Sequence, residues 1–107
     1  MPREDRRIYF EFQETYKAIY ALCVQNQIQK PQPGMVTEVS AHPADADKVM
    51  VRIENIHDSS VQYIEFTRDF LAAALMLYCR TIRIPLPKTA KKSVEFSADS
   101  VILRVQV

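Results

Sequence analysis

Phe70-Leu71-Ala72-Ala73-Ala74-Leu75-Met76-Leu77-Tyr78-Cys79 is the longest apolar run of the 107-residue chain. Leu and Ala are strong helix formers, and no β-branched residue interrupts them. Thr67 supplies an N-cap and Asp69 an acid in the first turn, where the helix dipole favours it. Arg80 and Arg83 suit the C-terminal end, and Pro85 and Pro87 stop the helix. A helix over 68–83 follows. Its ten-residue apolar run is about half of what a membrane span needs. Yet it is apolar on every side, whereas a helix lying on the outside of one sheet needs only one apolar stripe. Something must cover its second side. Either another helix of the same chain does so, or the same helix of a second copy does so across a twofold axis. Phe70, Leu71, Leu75, Met76 and Tyr78 are the candidate interface residues for the second case.

The helix available within the chain is 13–28. Ile8, Phe12, Tyr16, Ile19, Tyr20 and Cys23 recur at spacings of three and four without Pro or Gly. Ile8-Tyr9-Phe10-Glu11-Phe12 is equally good strand by its aromatic and β-branched content, so 7–12 stays open between the two. The aromatics of this segment (Tyr9, Phe10, Phe12, Tyr16, Tyr20) read as core and interface packing. Lys30-Pro31-Gln32-Pro33-Gly34 breaks regular structure. A short strand is expected at 35–40. In 48–56, Val49, Val51 and Ile53 alternate with Met50, Arg52 and Glu54, as in a strand with one buried face. His57-Asp58-Ser59-Ser60 is turn chemistry, and 61–66 is the return strand. A second hairpin joins 93–96 to 101–107, with Val101, Leu103, Val105 and Val107 on one face. The expected fold is α+β: one antiparallel or mixed sheet of four to five strands with two packed helices, the second largely buried. The whole chain, 1–107, reads as one domain, with 1–7 a flexible N-terminus.

Composition narrows the function classes. Hydrophobic residues make up 48% and charged residues 25%, the profile of a folded globule. There is one glycine, Gly34, where average usage predicts about seven. Phosphate-cradling loops and dinucleotide fingerprints need several glycines, so both are excluded. Cys23 and Cys79 lie in apolar segments, as free core thiols of a reducing compartment. With no signal-peptide pattern and no spanning segment, the expected location is cytoplasmic, with no membrane partner.

The candidate chemistry is sparse. His42 lies near Asp45 and Asp47, and His57 beside Asp58. The strand between them holds the two sets roughly 30 Å apart, too far to share one metal ion. The cysteines lack a neighbouring base, and no paired carboxylates stand on an apolar face. No catalytic residue, metal or cofactor is assigned, and the expectation leans away from an enzyme. The formal net charge is +1. Residues 70–107 carry six basic residues and two acidic ones, a balance of +4, against eight and eleven, or −3, in 1–69. Arg80, Arg83, Lys88, Lys91 and Lys92 fall in a stretch without an acid, the candidate phosphate or nucleic-acid contact. It has no aromatic residue for base stacking. The leading expectation is a non-enzymatic, self-associating interaction or regulatory module, a homodimer. The runner-up is a nucleic-acid- or phosphate-binding protein using 80–92; docking of that segment on an acidic protein partner is the remaining reading.

Overall fold

The computed structural model describes residues 3–107 and is α+β. The order is β1 (Asp5–Glu11), α1 (Phe12–Gln25), β2 (Met35–Ala41), β3 (Lys48–Glu54), β4 (Val61–Thr67), α2 (Arg68–Thr81), β5 (Lys91–Phe96) and β6 (Ser100–Gln106). The six strands form two antiparallel three-stranded sheets, ordered β1-β6-β5 and β2-β3-β4. This corrects the expectation of one sheet of four to five strands. The extra strand is β1, and the two hairpins do not join each other.

β1 settles the ambiguous segment. Arg6, Ile8 and Phe10 point inward and Phe10 is buried, while Asp5, Arg7, Tyr9 and Glu11 are exposed, which is period two rather than 3.6. β1 pairs with β6 from Asp5↔Gln106 to Glu11↔Ser100. Asp5 to Arg7, expected within a free N-terminus, are therefore strand; Met1 and Pro2 of that segment lie outside the described residues. Arg104 forks both Asp5 carboxylate oxygens at 3.1 and 2.7 Å, and holds that carboxyl below its usual range. The switch to helix at Phe12 is made by a capping box between Glu11 and Glu14.

α1 buries Thr15, Ala18, Ile19, Leu22 and Cys23, a stripe at i, i+3, i+4, i+7 and i+8. The stripe lies beside the aromatic positions used above, which leaves Tyr20 exposed. α1 packs on α2, whose own buried residues are Leu71, Ala74, Leu75 and Cys79. Ala18 and Cys23 of α1 and Ala74 and Cys79 of α2 are small and fully buried. The second side of α2 is thus covered within one chain. Phe70 N–H donates to Thr67 Oγ1 at 3.0 Å, the anticipated N-cap. Residues from both helices and both sheets contribute to one buried cluster, including Val49, Val51 and Ile53 from β3 and Val101, Leu103 and Val105 from β6. Among the described residues, no helix is long and apolar enough to cross a membrane.

The single glycine has a steric reason. A Cβ on Gly34 would lie 2.6 Å from the Glu54 carbonyl oxygen and 2.8 Å from the Ile53 methyl group. That clash falls where β2 begins its pairing with the end of β3 (Met35↔Glu54). Gly34→Ala is expected to cost about 1–2 kcal/mol by forcing that end of the hairpin apart. A urea midpoint unchanged from the parent would show that the hairpin end yields freely.

Candidate functional site

Both helices end in the same way. Beyond α2, Ile84 N–H bonds the Cys79 carbonyl at 2.8 Å and Arg83 N–H bonds that of Arg80 at 3.3 Å, with Arg83 at φ 63°. This is a Schellman closure in which a non-glycine takes the left-handed position. Gln27, at φ 56°, does the same beyond α1. The strain therefore follows from the scarcity of glycine and does not by itself mark function. Its effect at α2 is to fold the chain back sharply. Ile84 and Leu86 pack partly buried against the core, and Pro85 and Pro87 flank Leu86.

The fold-back borders an open cleft of about 650 Å³ lined by Met76, Arg80, Arg83, Ile84, Pro85, Leu86, Pro87, Lys88 and Lys92. Four of the five basic candidates therefore converge. Lys91, exposed on β5, is not among the lining residues. Two cations hold the loop in place. Lys92 Nζ donates to the carbonyls of Pro87 (3.0 Å) and Ala90 (3.3 Å), and Arg6 reaches from β1 to the Pro85 carbonyl at 2.8 Å. Arg6 was not a candidate from the sequence, being 79 residues from its partner; its Nε is buried and has no hydrogen-bond acceptor. Among the described residues, Arg80, Arg83 and Lys88 form no ion pair. The α2 carbonyls add partial negative charge here, which Arg80 and Arg83 offset.

The interface candidates divide. Leu71 and Leu75 are fully buried inside the chain, while Phe70, Met76 and Tyr78 keep part of their surface. Phe70 stacks on Phe66 of β4 with ring centroids 5.1 Å apart. Tyr78 meets Phe10 edge-on, and burial followed by the nearby Glu14 carboxylate pushes its phenol pKa up.

A second surface was missed in the sequence: the outer edge of β4. The ladder bonds at either end, Asn55 N–H to Ser60 and Arg68 N–H to Asp47, set the alternation. In that register Gln62, Ile64 and Phe66 bond β3, and the main-chain groups of Val61, Tyr63 and Glu65 face outward without a strand. Glu65, the one charge in β4, is met by His42 Nε2 at 3.0 Å and Lys48 Nζ at 3.8 Å.

The remaining titratable groups offer little chemistry. His42 and His57 flank opposite ends of β3, and no cluster of three metal-ligating side chains occurs among the described residues. Burial raises the pKa of both thiols, with Arg6 partly opposing it at Cys79. A further cavity of about 700 Å³ includes Tyr16, Glu11 and Asp99, but both carboxylates are exposed and the Tyr16 hydroxyl is engaged with the Gln32 carbonyl. Compared with protein-family models, with curated proteins and with solved structures, the chain matches none.

Proposed function

We propose that this protein is a non-enzymatic, self-associating interaction module that pairs β4 with β4 of a second copy. The observation that carries the reading is the contrast among the four outer strands. β2 is broken by a bulge between Val36 and Glu38. β1 holds Asp5, Arg6, Arg7 and Glu11, and β5 holds Lys91 and Lys92 with its Val94 carbonyl already taken by Arg68. These are the usual guards against edge-to-edge pairing. β4, Val61-Gln62-Tyr63-Ile64-Glu65-Phe66-Thr67, has no Pro, no Lys and no bulge.

The edge is also self-complementary. An antiparallel twofold through Ile64 sets Ile64 against Ile64, Gln62 against Phe66 and Tyr63 against Glu65. No like charges meet, and the outward groups of Tyr63 and Glu65 bond each other. The result is a continuous six-stranded sheet with isologous symmetry. Free buried thiols fit the reducing cytoplasm as its setting.

Tyr63→Pro tests this reading. It removes an outward N–H and no bond to β3, so the chain should fold and sediment as a monomer where the parent is a dimer. Ile64→Cys should cross-link across the twofold under mild oxidation, and Gln62→Cys should not. A parent protein that scatters light as a monomer at high concentration would end the proposal.

A further inference from the structure

We propose that the cavity between the end of α2 and the 82–92 loop binds a phosphate monoester carrying an apolar chain. The ligand class follows from the two kinds of wall. Arg80, Arg83 and Lys88 supply positive charge without a carboxylate partner, while Met76, Ile84 and Leu86 supply apolar surface in the same cavity. Three cations suit a dianion with three acceptor oxygens better than a single carboxylate, which one Arg satisfies. The apolar wall would be left wet by a bare inorganic ion. A volume of about 650 Å³ lies in the range of small-molecule sites.

The same geometry disfavours a nucleic-acid strand. No aromatic side chain lines the cavity to stack a base, and Lys91, which would lengthen the cationic track, is not part of the lining. Lys92 is committed to the loop carbonyls, and Arg6 braces the loop through Pro85. These two residues position the site, while Arg80, Arg83 and Lys88 contact the ligand. The phosphate on its chain is the shared chemistry of a soluble alkyl phosphate and of a lipid such as phosphatidate.

Octyl phosphate below its micellar concentration is the probe, titrated by calorimetry and by amide NMR shifts. Saturable one-to-one binding with shifts at 76–88 is expected, with inorganic phosphate and octanol each much weaker. Lys88→Ala and Arg83→Gly should each weaken it about tenfold. Arg83→Gly leaves a residue suited to the left-handed turn, so its thermal stability should hold or rise while binding falls. Lys91→Ala should bind as the parent does. Retained affinity in both Arg83→Gly and Lys88→Ala, absence of saturation, or tighter binding of a single-stranded oligonucleotide would each overturn the site. Vesicles containing phosphatidate form a second arm. Binding to them that ignores Leu86→Ser and follows only total surface charge would also overturn it. The titration repeated on Tyr63→Pro should return the parental affinity, which separates this site from the self-association reading.

Discussion

Leu75→Ala is expected to destabilise the fold by roughly 3–5 kcal/mol, the upper range for truncating a fully buried leucine. Leu75 has no exposed surface, and it lies in the stretch of α2 that packs on α1 and reaches both sheets. Truncation removes apolar area from the shared core and leaves a void that close-packed neighbours fill only in part. A domain of this size has about 5–15 kcal/mol in total, so a large share of its stability would go. Urea unfolding followed by circular dichroism measures the change. Met76→Ala, one residue on but partly exposed and facing the cavity, is the internal comparison and should lose much less. Equal losses at the two positions would mean that α2 is not covered on its second side within one chain.

The need for cover on that second side was legible in the sequence. The run from Phe70 to Cys79, too short for a membrane and apolar all round, implied two-sided burial, and α1 supplies the second cover. The helix was legible because its signals are local: Thr67 as cap, Leu and Ala within, two prolines beyond. The hairpins 48–66 and 93–107 were legible for the same reason, since their partners are neighbours in the chain. β1 was not. Ile8 to Phe12 satisfies a period of two and a period of four alike, and the deciding partner, β6, lies about ninety residues away. With β1 unassigned, nothing local could show that the two hairpins belong to separate sheets.

The candidate sites divide along the same line. A run of basic residues without acids is visible in a sequence, and four of its five members do meet around one cavity. Which of them are free is set by the loop. Lys92 spends two of its three donors on Pro87 and Ala90, and the brace from Arg6 depends on β1 being a strand. The β4 edge is harder still. Its composition is plain in Val61 to Thr67, but an edge is defined by the absence of a neighbour, which only the completed sheet order reveals.

Arg68→Ala is expected to cost roughly 2–4 kcal/mol, far above the usual effect of a partly exposed arginine. The first turn of a helix is a poor place for a cation, because the dipole there favours acids. By local rules alone, alanine would be neutral or better. The side chain instead spans the two sheets. Nε donates to the Ala46 carbonyl in the β2–β3 loop, and a terminal nitrogen donates to the Val94 carbonyl of β5 at 2.9 Å. The guanidinium lies over Phe96, 5.1 Å from its ring centroid, while the Arg68 main chain bonds Asp47. Hydrogen bonds from a charged donor contribute about 1.5–3 kcal/mol each, reduced here by partial exposure, and the ring contact adds about 0.5–1. Alanine would leave both carbonyls without their donor and reopen the β5 edge. Lysine keeps the charge, but its compact ammonium lacks the planar fork that serves both acceptors, so Arg68→Lys should recover less than half of the loss. Urea unfolding gives the magnitude, and hydrogen exchange gives the location: amides of β5 should lose protection before those of β3. A loss below about 1 kcal/mol, or β5 amides as protected as in the parent, would reduce Arg68 to an ordinary surface contact.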